Sequence, residues 1–382
     1  MTENLKNLFL NQPELQEKFG TLSFPTKKTE EWIYTNPNLL FEGIDHLVNE
    51  KSSNDLQGDI CFSNGELVKN ETSLKLEKTF FELNHTEATA ILQEVAAPHE
   101  LSISENQTAP IYIHQNYEGK DATSFSGSNL IINVEKNISV TIVEIISANT
   151  LGLHSGTTKV NLEENASVEY VKVLPSDLEN KYLGSVTTNQ KRDSFFNGVI
   201  ITLGGAVSRH HLISNLNEEN ATGNFHGLFT LDESQHSDTL SHIKHHAPRT
   251  YSSQLYKGAL NGESRGVFTG KLFIARDAQE VDANQLSKNL LLSPKAHVDT
   301  RPQLEVYADD VKAAHGATVG QIGEEEIFYL QSRGIDATTA FKMLCDAFSA
   351  DVIDHVKSSS VREFLFNELK KKAMKQSEAM DV

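Results

Sequence analysis

The spacing of hydrophobic positions changes along the chain. Close to the start, Leu5, Leu8 and Phe9 recur at helical spacing, and Pro13 suits the first turn of another helix. From about residue 105 to 320 this period vanishes, and short runs rich in Val, Ile, Thr, Phe and Tyr alternate with Asn, Gly and Asp turns. We predict strands in that stretch, among them 111–114, 129–134, 139–143, 167–171 and 198–203.

An internal repeat indicates how these strands are arranged. Residues 133–145 align without a gap with residues 161–173, and both carry Asn, Glu, Asn, Ser, Val and Val at matching positions. The turn Glu-Glu-Asn-Ala-Ser at 163–167 returns as Glu-Glu-Asn-Ala-Thr at 218–222. Repeats of about 20–50 residues are typical of solenoids and propellers. Because the sequence has no Trp-Asp blade signature, we favour a β-helix whose coils pack on one another, with a sandwich or jelly roll as the alternative.

The last stretch of the chain returns to helical spacing. Glu324 begins a run of three acids that suits a helix N-terminus, and Gly334 is placed to end that helix. Asp336 can cap a second helix with an apolar stripe of Phe341, Leu344, Cys345 and Phe348. Ser360 and Glu363 fit a capping box for a third helix, with Val361, Phe364, Leu365 and Leu369 inward. We therefore divide the chain into a helical or mixed region (1–100), a β-helix core (101–320) and a helical domain (321–382).

Charge and hydropathy exclude several functions. The formal net charge of −18 argues against binding to a phosphate backbone, and the one dense basic run, Lys370 to Lys372, reads as a solvated helix end. No stretch reaches the roughly 18 apolar residues of a membrane span. The first residues lack a signal-peptide cleavage pattern, so we expect a cytoplasmic protein.

Catalytic and cysteine-based motifs are also missing from the sequence. Cys61 and Cys345 belong to no CxxC, so neither a disulfide framework nor a cysteine-rich metal site is indicated. Residues 266–272 come nearest to a phosphate-binding loop, but they are one residue short and lack its hydroxyl. The zinc-protease motif HExxH does not occur. We therefore expect no enzymatic activity from this chain itself.

Histidine is the unusual residue type. Seven of the 15 histidines lie between 210 and 246, namely His210, His211, His226, His236, His242, His245 and His246. The last three have a spacing that could hold zinc on a helix, but in strand sequence it scatters the rings to different faces. We favour hydrogen-bonded or solvated histidines there. His315 stands apart, at the junction of the strands and the C-terminal helices. On its own, a His before Gly predicts a turn histidine, although an imidazole with a free nitrogen is a competent iron ligand.

The segment 25–34, Pro-Thr-Lys-Lys-Thr-Glu-Glu-Trp-Ile-Tyr, mixes charges with Trp32, the only tryptophan in the chain. On its own it predicts a surface segment anchored by one large aromatic side chain. No catalytic motif explains it.

A family resemblance covers the junction around His315 and extends over the chain. It is carried by Tyr256-Lys-Gly258 and by the segments 271–279, 282–293, 302–306, 309–312, 315–320 and 328–335, together with 25–34. In these runs the sequence strongly resembles the SufB/SufD family, and its SufD branch most of all. Those proteins are scaffold subunits of the SUF system for iron–sulfur cluster assembly.

The resemblance implies a fold, partners and site residues. The fold would be a right-handed parallel β-helix between helical ends. SufB would pair with the end of the β-helix, where the candidates are Val306, Asp309, Asp310, Lys312 and His315. The ATPase SufC would dock on the C-terminal helices, where the candidates are Phe328, Tyr329, Arg333, Gly334 and Phe341. A homodimer is possible for the isolated chain.

The resemblance also implies how iron would be handled. No cofactor would be stably bound, but iron or a nascent iron–sulfur cluster would pass the SufB interface, with His315 as the candidate metal ligand. The family often has Cys two residues before this His, where the present sequence has Ala313, and residues 105–320 contain no cysteine. Because clusters are normally held by thiolates, sulfur ligands would come from a partner.

A carbohydrate-active enzyme built on a solenoid is the alternative function. Such an enzyme needs clustered carboxylates on consecutive coils and aromatic side chains along a sugar groove. Aromatic residues make up 8% of the sequence, and no carboxylate pair recurs at the repeat period. We therefore favour the scaffold.

Overall fold

Strands dominate the fold, and helices lie at both ends of the chain. A computed structural model of the protein describes residues 2–9, 12–48, 50, 56–79, 88–119, 121–148, 151–175 and 179–380. Within these ranges the molecule is mainly β, with a long central array of strands.

The first hundred residues combine short helices with short strands. The helices are α1 (Thr2–Lys6), α2 (Pro13–Thr21), α3 (Asn38–Phe41) and α4 (Ala88–Ile91). The strands are β1 (His46–Leu47), β2 (Ile60–Ser63), β3 (Glu66–Asn70) and β4 (Lys75–Lys78). Single 3-10 turns occur at Asn7–Phe9, Glu30–Trp32 and Leu92–Val95. Pro13 opens α2 as predicted, because its missing N–H would have no partner within the helix.

Sixteen further strands follow one another without a long helix between them. They are β5 (His99–Ile103), β6 (Ile111–Tyr117), β7 (Ser124–Val134), β8 (Ser139–Ala148), β9 (Leu153–Leu162), β10 (Ser167–Leu174), β11 (Lys181–Gln190), β12 (Phe195–Thr202), β13 (Val207–Leu216), β14 (Thr222–Leu231), β15 (His236–His245), β16 (Tyr251–Leu260), β17 (Arg265–Ile274), β18 (Val281–Leu291), β19 (His297–Val306) and β20 (Val311–Gly320).

These strands form two sheets whose neighbours run parallel from β5 and β6 onward. Sheet A has the order β19-β17-β15-β13-β11-β9-β7-β5-β4, and sheet B has the order β20-β18-β16-β14-β12-β10-β8-β6-β2-β3. The chain alternates between the sheets, so each coil adds one strand to both, for about seven turns. The predicted β-helix is therefore confirmed, and the sandwich alternative is wrong.

The repeat seen in the sequence places identical side chains beside each other on neighbouring coils. Asn133 lies next to Asn161 in sheet A, and Asn161 donates from its Nδ2 to the Oδ1 of Asn133 at 2.7 Å. Asn189 and Asn215 extend this ladder, each donating to the previous member at 2.9 Å. Each amide thus acts as donor to one coil and acceptor from the next, which fixes the register between coils.

The asparagine turns recur for a backbone reason. Asn137, Asn165, Asp193 and Asn220 occupy equivalent corners of successive coils, with φ between 57° and 64°. Asn and Asp tolerate this left-handed conformation better than other residues with a side chain. The Glu-Glu-Asn-Ala pattern therefore marks one corner of the solenoid.

The three largest apolar clusters of the described residues organise the packing. One fills the solenoid interior with side chains such as Ile142, Tyr170 and Phe225. A second joins the N-terminal helices to the outer face of sheet A, and a third joins the C-terminal helices to the outer face of sheet B. The two helical regions thus cover opposite sheets.

The C-terminal helices are α5 (Glu324–Gln331), α6 (Ala337–Ile353) and α7 (Ser359–Met380). Gly334 adopts φ +86° just after α5, and the Asp336 side chain accepts from the Thr339 N–H to cap α6, both as predicted. The capping box at Ser360 is wrong, because α7 begins one residue earlier and Ser360 lies in its first turn. The chain before α7 is instead fixed by the carboxylate of Glu169, as described below.

Candidate functional site

Both sheets end in strands that are paired on one side only. β19 closes sheet A and β20 closes sheet B, and within the described residues neither has a second neighbour. Such edge strands present a row of backbone N–H and C=O groups that can pair with another chain. Residues 297–306 and 311–320 therefore form what we call the open end of the solenoid.

His315 lies in the middle of this end. It is in register with Gln285 of β18, and its side chain is exposed. Within the described part of the chain it makes no hydrogen bond or ion pair. Ala313, two residues earlier, packs partly buried against the interior cluster. The imidazole is thus held on a rigid strand with its ring nitrogens available to a ligand.

The other SufB-interface candidates share this end. Val306 ends β19, Asp309 and Asp310 lie in the turn that leads to β20, and Lys312 follows in β20; all four are exposed. The turn is tied to the previous coil, since the Asp310 N–H donates to the Gln279 side chain at 2.9 Å.

The sequence-based prediction did not include two exposed apolar residues at the open end. Tyr307 lies just after β19 with its ring 5.7 Å from that of Phe273, and Val319 near the end of β20 is 50% exposed. Val319 continues the alternation of apolar residues along β20, whereas Tyr307 directly follows Val306 and breaks the alternation of β19. Only the topology shows that no further strand of the described chain covers this end.

The candidates for SufC docking form a surface on α5 and the start of α6. Phe328 is 70% and Tyr329 55% exposed, and α5 buries none of its residues. The Arg333 guanidinium lies 4.5 Å from the centre of the Tyr329 ring, and Gly334 ends the helix beside it. Phe341 is half-buried at the start of α6. A helix with two outward aromatic residues is typical of a protein-binding surface.

The C-terminal helices are attached to sheet B through polar contacts. Glu169 accepts from the N–H groups of Lys357 at 2.5 Å and Ser358 at 3.1 Å, just before α7. Lys257 pairs with Asp351 of α6 at 2.6 Å and holds the pKa of that carboxyl below its usual range. α6 and α7 are thereby placed firmly on the solenoid, and α5 extends beyond them.

A buried ion pair lies inside the solenoid. Lys172 and Glu144, on adjacent strands of sheet B, are 3.1 Å apart and both fully buried. Glu144 also accepts from the hydroxyls of Thr158 and Tyr170. Burial, together with the Glu144 charge, raises the pKa of Tyr170 well above its ordinary value. The carboxylate thus has three donors inside the coil.

The seven histidines between 210 and 246 lie on β13, β14 and β15 or directly after β15. His242, His245 and His246 do not converge, and the described residues contain no group of three or more His, Cys, Asp or Glu side chains that could hold a metal. His245 is bonded to the hydroxyls of Thr250 and Ser252. Burial lowers the pKa of His210 and His245 to about 3, so both are neutral at physiological pH.

The two cysteines lie outside the open end. Cys61 is buried in β2, and Cys345 is half-buried in α6. Burial raises the pKa of the Cys345 thiol to about 11, so it is protonated at neutral pH. Neither is placed to act with His315.

Among the described residues, helices long and apolar enough to cross a bilayer are absent.

Comparison with known proteins connects this geometry to a family. A family model described as the SufBD core domain of SUF system FeS cluster assembly matches residues 115–348. The iron–sulfur cluster assembly protein SufD of Escherichia coli is 32% identical over 265 residues, which are 69% of this chain and 56% of that protein.

Two further relatives match a shorter part. The SufBD family protein slr0076 of Synechocystis is 35% identical over 181 residues, covering 47% of this chain and 40% of its own length. The chloroplastic protein ABCI7 of Arabidopsis thaliana is 35% identical over 185 residues, covering 47% and 38% respectively. The matches thus span about half or less of these relatives.

Proposed function

Because this chain belongs to the SufB/SufD family of iron–sulfur cluster assembly proteins, and is most like SufD, we propose that it is a cytoplasmic, non-enzymatic scaffold subunit for cluster assembly. It pairs with SufB through the open end of the solenoid and with the ATPase SufC through the C-terminal helices. The observation that carries the proposal is the exposed His315 on a strand with one unpaired edge.

The open end supports pairing with a second solenoid. Its two edges offer about ten residues of backbone each, and exposed apolar side chains at Val306, Tyr307 and Val319 lie beside them. A chain of the same family would present matching edges, so strand addition could continue both sheets across the interface. A related but non-identical partner such as SufB meets this requirement.

The chemistry at the interface follows from what the chain contains. His315 can offer an imidazole nitrogen to iron, but the strands around it carry no cysteine. Thiolate ligands and the sulfur acceptor would therefore be contributed by SufB. Iron or the nascent cluster is cargo in this scheme, held between the two subunits.

Co-expression tests the proposal. The tagged chain, produced with SufB and SufC from the same organism, should purify as a complex with both. Val319→Lys should remove SufB and retain SufC, because a charged edge residue opposes strand addition. Leu151→Lys, which alters an exposed leucine away from the open end, is the control and should retain both.

The isolated chain provides the counter-test. If wild-type chain associates with neither protein, the proposal fails. If light scattering shows a homodimer that SufB cannot displace, the open end serves self-association instead.

A further inference from the structure

The charged segment around Trp32 crosses the outside of sheet A. Its residues from Glu30 to Thr35 contact β13, β15, β17 and β19, which are consecutive strands of that sheet. The segment therefore connects the middle of the solenoid to its last strand. We call residues 30–35 the clamp.

One part of the clamp is buried and fixed. Trp32 is 2% exposed, and the Arg209 guanidinium of β13 lies 3.9 Å from its ring centre. Arg209 also donates to the Glu31 carbonyl at 2.7 Å and pairs with Asp238 of β15. Thr35 donates to the same carboxylate. Opening this part would leave Arg209 and Asp238 paired with each other, but it would expose Trp32 and remove the Glu31 carbonyl and the Thr35 hydroxyl from this buried pair.

The other part is exposed and reaches the open end. Glu30, with 59% of its side chain exposed, accepts from Arg301 at 2.9 Å and from Gln303 at 3.4 Å, both on β19. Lys271 of β17 lies 3.5 Å from Glu31 and 3.9 Å from Glu30. The hydrogen bond from Gln303 and the charges of Lys271 and Arg301 lower the pKa of Glu30, so it is ionised at neutral pH.

β19 is the strand of sheet A that needs such support. It has a single neighbouring strand, and none of its ten residues is fully buried, whereas the interior strands bury most of theirs. Strands with few buried contacts open locally at low free-energy cost. Glu30 bonds two residues of this strand from outside the sheet.

We propose that the clamp, through Glu30, holds β19 formed and orients Arg301 and Gln303, so that the partner meets a preorganised edge. Glu30 is thus a positioning residue for the interface, acting through Arg301. This inference rests on the proposed function only for the identity of the partner, since the clamp contacts lie within this chain.

Hydrogen exchange of the isolated chain tests the clamp itself. Glu30→Gln should raise the exchange rates of the amides in 297–306 about two- to fivefold, the range expected for loss of a partly exposed ion-pair network. Glu163→Gln is the matched control, because it breaks an exposed pair with Lys191 (2.7 Å) on interior coils, and it should leave 297–306 unchanged. Unchanged exchange of 297–306 in Glu30→Gln overturns the clamp.

Charge exchange tests whether Glu30 acts through Arg301. Glu30→Arg should raise exchange in 297–306 further, and adding Arg301→Glu should restore it towards wild type. A double variant as labile as the single one contradicts direct coupling.

Binding to SufB tests the consequence for the partner. The Kd of Glu30→Gln for SufB should rise about two- to fivefold, again on the scale of one exposed network, while Glu163→Gln binds like wild type. If Glu30→Gln speeds exchange in 297–306 but leaves the Kd for SufB unaltered, the proposal that the clamp preorganises this edge for the partner is overturned. If the wild-type chain does not bind SufB, the proposed function fails, whereas the exchange data still decide the clamp.

Discussion

His315 on β20 lies in register with Gln285 on β18, and its strand has no neighbour on the other side among the described residues. The histidine is therefore fixed by the solenoid on one flank and open on the other. This arrangement suits a metal ligand whose site becomes complete only when a second chain lies along the unpaired edge of β20.

Replacing His315 should separate folding from function. His315→Ala should unfold like wild type and still bind SufB, since the exposed ring makes no bond within the described chain. Maturation of iron–sulfur enzymes in cells that depend on this variant should fall. Thr318→Ala, another exposed residue of β20, is the control. Normal maturation with His315→Ala would show that the histidine has no role in cluster assembly.

Removing the aromatic pair of α5 should affect SufC alone. Phe328→Ala with Tyr329→Ala deletes exposed rings, so the free energy of unfolding should change by about 0.5 kcal/mol or less for each. Binding of SufC, measured by calorimetry, should weaken at least about tenfold, as for aromatic residues central to an interface. Val68→Ala, at an exposed valine of β3, should bind normally. Undiminished SufC affinity would show that the ATPase docks elsewhere.

The interior ion pair should behave differently from an exposed one. Lys172→Met leaves the Glu144 carboxylate buried without its cation, so denaturant unfolding should show a loss of about 3–5 kcal/mol. Adding Glu144→Gln should recover much of that loss. Lys136→Met breaks an exposed ion pair with Glu164 and should lower the free energy of unfolding by about 0.5 kcal/mol or less. Equal losses for Lys172→Met and Lys136→Met would contradict the account.

Stability should fall as the solution becomes acidic. Burial lowers the pKa of His210, His211 and His245 to about 3, below the ordinary value near 6.5. As pH falls, the unfolded chain therefore takes up protons on these histidines before the folded chain does. The stability that the neutral, buried histidines contribute is complete above pH 6.5 and declines as pH falls towards 3. At pH 5 each histidine should lower the free energy of unfolding by about 2 kcal/mol relative to neutral pH.

Unfolding in denaturant at pH 7.5 and pH 5 measures this effect. The midpoint should shift to lower denaturant at pH 5, and His245→Gln should reduce the pH slope by close to one proton. An unchanged midpoint would mean that these histidines are not buried in solution.

The solenoid was predictable because neighbouring coils must match. Asn133 and Asn161 bond each other across 28 residues, so the ladder appears in the sequence as a repeat of the same residue type. The left-handed corner at Asn165 appears likewise, since few residue types tolerate it. Glu144 and Lys172 gave a weaker signal that was missed, namely opposite charges at equivalent positions of two apolar strands.

Long-range features had no such signal. Glu30 meets Arg301 across 271 residues, and no local pattern distinguishes this acid from its exposed neighbours. The start of α7 was misplaced for the same reason, because the bond that fixes it comes from Glu169, nearly 190 residues earlier in sequence. Contacts of this kind depend on the folded arrangement of sheets and helices.

A structure of the chain in complex with SufB tests the central claim most directly. The account predicts that a strand of SufB lies beside β20, that both sheets continue across the interface, and that His315 faces SufB side chains that include a thiol. A complex in which residues 297–320 remain exposed to solvent, with SufB bound to another surface, would contradict it.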